Sequence, residues 1–343
     1  VTTDARRSPP VSNDGEARAG IDVKYGVTAN LTADLTIRTD FAQVEIDEQQ
    51  INLTRFSLAF PEKRDFFLEG RGVVDCARGG QGAQGGGAST ADTPSLFYSR
   101  RIGLNAGRVV PLDVGTRLTG KVGAYGLGAM VIRTGEEEVS ASAPTTFTVV
   151  RVKRDILRRS AVGAMFTDRS VAIAGGGGNR AYGVDAALSF YQNVQIGTYF
   201  ARTESPGRIG DATSYQGRFD YLGDRYGVQA ERLKVGPDFN PEVGFLRRRD
   251  FEKSSATLRF SPRPKALPSI RKLTWQARVD YVENGAGSVE SREQNGRFVV
   301  EFQSSDQITV EGSRRFERLA EASVIASVAI PSGIRRSTAV RKR

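Results

Sequence analysis

From Leu273 to Tyr281 the chain reads LTWQARVDY, and every second residue is apolar. Leu273, Trp275, Ala277, Val279 and Tyr281 alternate with Thr274, Gln276, Arg278 and Asp280. Only a β-strand places two such sets on opposite faces. The pattern recurs. Tyr182, Val184, Ala186, Leu188 and Phe190 oppose Gly183, Asp185, Ala187 and Ser189, and Tyr215, Phe219 and Tyr221 oppose Gln216, Arg218 and Asp220. Ala256, Leu258 and Phe260 oppose Ser255, Thr257 and Arg259, and Phe298, Val300 and Phe302 oppose Arg297, Val299, Glu301 and Gln303. In "YGVQAERLKV" the phase is expected to slip between Glu231 and Leu233. The runs are about 8–11 residues long, the length a tilted strand needs to cross a bilayer. Turn residues separate them: Gly223-Asp224, Gly285-Ala286-Gly287, the glycines at 175–178, and Ser305-Asp306. Hairpins are expected for 182–191 with 194–203, 213–222 with 225–235, and 295–304 with 307–316.

A soluble sandwich or propeller also alternates, with its apolar face turned to the core. Two features favour a membrane barrel. Aromatic residues sit near segment ends (Tyr182, Phe190, Tyr215, Tyr221, Tyr226, Tyr281), and the polar faces carry charges, as a wet lumen requires. The expected fold is all-β, an antiparallel up-and-down transmembrane β-barrel of about sixteen strands. No window approaches 18 uninterrupted apolar residues, which rules out a transmembrane helix and leaves strands as the way across.

Composition narrows the chemistry. The chain has no histidine, which removes Ser-His-Asp, Cys-His and His-metal sites together. Its single cysteine, Cys76, excludes an internal disulfide framework and zinc clusters. No metal and no cofactor is expected. The net charge of +10 suggests nucleic acid, but the arginines are dispersed among acids rather than gathered on one face, so no nucleic-acid partner is expected. The expected partners are the lipid bilayer and a polar solute or glycan.

Several stretches resemble one family. "TDFAQVEIDEQQINLTRFSLAFPEKRDFFLEG" (39–70), "FYSRRIGL" (97–104), "LTGKVGAYGLGAM" (118–130), "FTVVRVKRDIL" (147–157), "YGVDAALSF" (182–190) and "DFNPEVGFLRR" (238–248) resemble the bacterial DUF5916 family. The resemblance spans about residues 18–320. Arg38-Thr39 stands where the family usually has Asn-Pro. What the resemblance implies is an outer-membrane β-barrel, commonly C-terminal to a domain similar to carbohydrate-binding module family 9. It implies no reaction. The expected location is therefore the bacterial outer membrane, and the expected role transport, or an envelope scaffold for a polar solute or glycan.

The candidate site is a charge cluster. The carboxylates Glu45, Asp47, Glu62, Asp65 and Glu69 lie near Arg55, Lys63, Arg64, Arg100 and Arg101 in sequence, and mutual ion pairing inside a lumen is the expected arrangement. Arg100 and Arg101 are expected to bridge to the acids at 62–69; in a strand the two would point to opposite faces. The alternative is a glycan hydrolase with a carboxylate pair among Glu45, Asp47, Glu62 and Glu69. No residue is singled out as catalytic. In "FNPEVGFLRRRDF" a long loop is expected to re-enter a strand, with Asn240, Glu242 and Arg247 as candidate ligand contacts.

Residues 1–17 read as a polar linker after an upstream domain, without an apolar leader segment. Residues 18–333 read as the barrel, with 71–96 a flexible glycine-rich loop. Residues 334–343 read as a basic tail without alternation, an expected interruption of the barrel sequence from about Ile334 that would leave a strand edge exposed.

Overall fold

A computed structural model describes residues 2–4, 11–14, 20–38, 59–69, 92–105, 108–319, 323–325, 328–330 and 333–342. Its frame is one antiparallel sheet of fifteen strands. The first five are β1 (Ile21–Thr28), β2 (Leu31–Ile37), β3 (Leu112–Val122), β4 (Tyr125–Thr134) and β5 (Thr145–Ile156). Then come β6 (Ser160–Arg169), β7 (Asn179–Phe190), β8 (Val194–Glu204), β9 (Thr213–Leu222) and β10 (Tyr226–Val235). The last are β11 (Phe251–Phe260), β12 (Ile270–Asn284), β13 (Val289–Phe302), β14 (Gln307–Leu319) and β15 (Gly333–Lys342). Each strand pairs with its sequence neighbours, so the order is an uninterrupted meander. Among the described residues no helix is long and apolar enough to cross a membrane.

The three expected hairpins form in register: Phe190 opposite Val194, Leu222 opposite Gly227, and Glu301 opposite Gln307. One expectation is corrected. The sheet has fifteen strands, and among the described residues β1 and β15 remain its two edges, so it is not closed into a barrel. In an odd-numbered meander the first and last strands run the same way; antiparallel closure needs an even number, as bacterial barrels have. Of the basic segment, residues 334–342 lie in β15, which runs along β14 with Gly333 opposite Leu319. In the expected linker, Thr2–Asp4 pairs with Val11–Asp14.

The two ends of the sheet differ. At one end the links are tight turns: 29–30, 123–124, 157–159, 191–193, 223–225 and 303–306, with 261–269 the longest. At the other end lie 38–111, 135–144, 170–178, 205–212, 236–250 and 320–332, with 285–288 the one tight turn there. From these longer links, three segments fold back onto the sheet: 59–69, with the four-residue helix α1 (Asp65–Leu68); 92–105, with a 3-10 turn at Ser99–Arg101; and 236–250. They touch strands far apart in the sheet. Arg117 of β3 donates to Phe66 O, Leu96 abuts Gly183 of β7, and Lys253 of β11 donates to Asp92 Oδ2 at 3.1 Å. A sheet that meets one small cluster from both β3 and β11 is curved around it.

That curvature defines an inner and an outer face, and the two invert the pattern of a soluble protein. Outward residues are apolar and exposed: Tyr25, Val131, Val152, Val184, Phe200, Leu258 and Trp275, with Val184 at 56% and Tyr25 at 68%. The inward residues of the sheet include the buried ionic or amide side chains of Arg117, Arg151, Asn179, Asp220, Glu231 and Lys253. The expected slip in "YGVQAERLKV" does not occur. Gly227, Glu231, Leu233 and Val235 are all buried and all face inward. The inner face simply changes from polar to apolar where loop 236–250 covers it.

Candidate functional site: a charged interior with an internal plug

The three inserted segments meet the inner face in an apolar layer near the longer links. Phe67, Leu96, Ile102, Phe239 and Val243 pack with Met130, Ile132, Phe147, Val149, Met165, Tyr199, Leu233, Val235 and Phe251. The segments also hold each other. Ser95 and Phe245 exchange backbone hydrogen bonds at 2.9 Å, and Tyr98 N donates to Val243 O at 2.9 Å. Gly244 makes this approach possible, because a Cβ there would lie 2.0 Å from Ser95 O. Tyr98 Oη also joins the two halves of the plug, accepting from Phe60 N at 2.8 Å and donating to Phe60 O at 2.9 Å.

Glu62 and Arg64 form the most enclosed ion pair of the plug. Arg64 donates Nε to Glu62 Oε1 at 2.8 Å and Nη2 to Oε2 at 2.7 Å, the two-pronged geometry that suits a guanidinium and a carboxylate. Both side chains are almost fully buried. The backbone amides of Lys63 and Arg64 also donate to Glu62 Oε1, while Arg64 reaches Ile102 O and Ser99 O and lies 4.3 Å from the centre of the Phe67 ring. Burial pushes the Glu62 carboxyl up, but the Arg64 hydrogen bonds and charge, together with Ser99 and the Arg64 amide, outweigh it and hold it at about 2.

A second network ties the plug to the wall. Arg117 of β3 donates Nε and Nη2 to Asp34 Oδ2 of β2 at 2.9 and 2.6 Å, and Nη2 to Glu69 Oε2 at 2.9 Å. Lys24 of β1 donates to both oxygens of Glu69 at 2.7 and 2.6 Å. A third pair lies wholly in the wall: Arg151 of β5 donates to Asp185 of β7 at 2.5 and 2.9 Å, across β6. Gly163 of β6 lies directly beneath this guanidinium, where a Cβ would come within 2.5–2.7 Å of it.

Beyond the plug, the inner face of β9–β14 carries a ladder of polar side chains. Arg218 donates to Asp220 at 2.7 and 3.1 Å, Gln216 to Glu231 at 2.5 Å, Arg278 to Asp280 at 2.6 and 3.0 Å, and Arg315 to Glu293 at 3.0 Å. Arg278, Asn295, Arg297 and Glu311 line a recess of about 400 Å³.

The sequence-predicted cluster is thus only partly assembled as expected. Glu45, Asp47 and Arg55 lie outside the described residues, as do residues 71–91 of the glycine-rich loop. Asp65 begins α1, and Lys63 is exposed beside the Glu62–Arg64 pair. Glu62 takes Arg64, two residues on, as its partner. Arg100 and Arg101 sit on the 3-10 turn rather than in a strand, and hydrogen-bond to carbonyls: Arg100 Nη1 to Pro61 O at 3.0 Å and Arg101 Nε to Gly244 O at 3.2 Å.

The three loop candidates tie the loop to the sheet, to the 170–178 link and to the 92–105 segment. Asn179 of β7 donates to Asn240 O at 2.9 Å and accepts from Glu242 N at 3.0 Å, while Asn240 N donates to Thr203 Oγ1 at 2.9 Å. Glu242 accepts from Asn240 Nδ2 at 3.1 Å and from Ile173 N at 2.8 Å. Arg247 donates to Asp92 at 3.3 Å. Asn179, fully buried, is the hub that sequence reasoning missed. Its only signal was an amide at the start of a strand, where the pattern asks for nothing polar. Among the described residues no three His, Cys, Asp or Glu side chains gather to hold a metal.

No curated protein and no solved structure matches the chain. Residues 3–113 match the family model of a domain of unknown function, DUF5916. The match takes in the stretch expected to be a linker and ends at the start of β3, short of the motifs at 118–130, 147–157, 182–190 and 238–248. It does include both inserted segments, 59–69 and 92–105. Over its first third, then, comprising β1, β2 and two of the three plug segments, the chain resembles the DUF5916 family.

Proposed function

We propose that the chain forms most of the wall, and the plug, of a β-barrel in a bacterial outer membrane, serving as a gated passage or an envelope scaffold for a polar solute or glycan. The observation that carries this reading is the inverted sheet: an exposed apolar face outside and a charged face inside. In water, an exposed apolar face running from β1 to β14 would be a severe liability; in lipid it is the required surface. Two aromatic belts support the reading. Phe166 opposite Tyr182 and Phe200 opposite Tyr215 lie toward the longer links. Tyr226, Phe260, Trp275 and Phe298 form a row of ring contacts across four strands toward the tight turns, at 5.3, 5.7 and 5.1 Å. On β7 the belts correspond to Tyr182 and Phe190. Eight residues at ~3.4 Å each, tilted by ~40°, give a height of about 21 Å, close to the ~25 Å band of such barrels.

On this reading the tight turns face the periplasm, and the plug closes the opposite mouth. The hydrolase alternative gains nothing from the plug. A general acid needs a raised pKa, and Glu62 is held at about 2 with both oxygens on Arg64.

The test is a pair of arginine substitutions on one hairpin. Val184→Arg, facing outward, is expected to cost about 2–4 kcal/mol of stability in lipid and to reduce the heat-modifiable folded band; Gln195→Arg, facing inward, is expected to leave it unchanged. Equal tolerance of both, or recovery of the unaltered chain in a soluble fraction, refutes the reading.

A further inference from the structure

Four arginines converge on the plug where it meets the longer links, each from a different connection or strand end. Arg101 leaves the 3-10 turn, Arg169 ends β6, Arg208 lies in 205–212 and Arg249 in 236–250. Arg249 Nη2 donates to Asn240 Oδ1 at 2.8 Å, Arg169 Nη1 lies 3.7 Å from Glu242 Oε2, and Arg208 Nη1 lies 3.4 Å from Asp238 Oδ1. Arg101 acts electrostatically on both Arg169 and Arg249, and Arg208 on Arg249. The nearby carboxylates, Glu242 and Asp238, number half as many as the guanidinia and are shared. Glu242 already accepts from Asn240 and Ile173, and Asp238 from Gly210 N at 2.9 Å. Among the described residues the buried Nε of Arg169 has no acceptor. Burial, followed by the neighbouring Arg208 and Arg101, pushes Arg249 below the usual arginine range. Elsewhere in the interior charges pair about one to one, as in Arg151–Asp185, Arg218–Asp220 and Arg278–Asp280. Here like charges are crowded together, an arrangement that an oxyanion relieves.

We propose that this arginine cluster is a binding site for a carboxylate- or phosphate-bearing polar solute, such as an acidic glycan, captured at the plugged mouth. Its position at a mouth rests on the barrel reading above; its affinity for oxyanions does not. Arg249 and Arg101, both exposed, would make first contact, while Arg169 supplies its unused Nε–H.

The experiment is calorimetric titration of the full chain in detergent micelles with polygalacturonate, with inorganic phosphate in a separate arm, and with neutral dextran of matched size. Binding of polygalacturonate or of phosphate, but not of dextran, is expected, and the arm that binds identifies the oxyanion. Arg249→Gln and Arg208→Gln should each weaken it about tenfold. Arg263→Gln, in the 261–269 link at the opposite end, should change it less than twofold. Absence of binding in both arms, equal affinity in both cluster variants, or an equal loss in Arg263→Gln overturns the proposal. Should a cluster variant lose its folded band, a salt series on the unaltered chain decides: a steep fall in affinity between about 50 and 200 mM supports the site, and a flat response refutes it. Heat modifiability, read in parallel, separates failure of this site from failure of the barrel.

Discussion

Glu62→Gln keeps the shape of the plug and an oxygen for Arg64 while deleting one charge. Glu62 titrates at about 2 in the folded chain against an ordinary 4.5. A gap of about 2.5 units corresponds to ~3.4 kcal/mol at ~1.36 kcal/mol per unit. Pro61 and Lys63 beside the pair are exposed, and an allowance for solvent screening brings the figure to about 2 kcal/mol. The sign follows from the direction of the shift. A depressed folded pKa stabilises the fold above the unfolded value, so the contribution is fully present above about pH 4.5 and is lost as the pH falls through 2. Urea unfolding in micelles, followed by the fluorescence of Trp275, the chain's single tryptophan, should therefore show the variant weaker by about 2 kcal/mol at pH 6 and equal to the unaltered chain near pH 2. Other carboxylates titrate in the same window, but they cancel in the difference. If the two curves stay parallel from pH 6 to pH 2, the Glu62–Arg64 pair does not hold the plug in the way the geometry implies.

Three further substitutions test separate contacts. Gly163→Ala should destabilise by about 1–3 kcal/mol in the same unfolding assay, because the added Cβ meets the Arg151 guanidinium at 2.5–2.7 Å, whereas Gly197→Ala, with nothing within 4 Å, should cost far less. Asn179→Ala should strip loop 236–250 of its hub, with a loss of about 2–4 kcal/mol and protease cleavage in that loop ahead of the wall. Asp185→Ala, which leaves Arg151 buried without its carboxylate, should cost about 3–5 kcal/mol, and Arg151→Met combined with Asp185→Leu should recover much of the loss.

The wall was legible because its signal is local. Alternation and turn residues act over about ten positions, and the three hairpins read from them form in register. The site was less legible because its partners are not local. Arg151 and Asp185 are thirty-four positions apart and meet only because a strand lies between them; Arg117 and Asp34 are eighty-three apart. Glu62 misled in the opposite way. Its partner is two residues on, where a strand would have put both on one face, and the chain there has already left the wall after Pro61. The same departure explains Arg100 and Arg101, whose opposite-faces argument presumed a strand that the 3-10 turn replaces.

The place where the pattern was expected to break tells most about the interior. Along β10 the inward residues are Gly227, Gln229, Glu231, Leu233 and Val235, polar toward the tight turn and apolar toward the longer link. β5 changes the same way, from Arg151 to Val149 and Phe147, and β7 from Asp185 to Ala181, although Asn179 restores a polar end where it meets the loop. A uniformly wet lumen would alternate to the end of each strand, and a soluble core would be apolar throughout. An inner face that divides at one level on several strands is what a wall needs when its own chain fills one half. Over the filled half, burial favours Leu233, Val149 and Phe147 against Phe239, Leu96 and Val243. Over the other half the inward charges are held in pairs, Arg218 with Asp220 and Arg278 with Asp280. What looked like a phase error in the sequence therefore marks the depth of the plug.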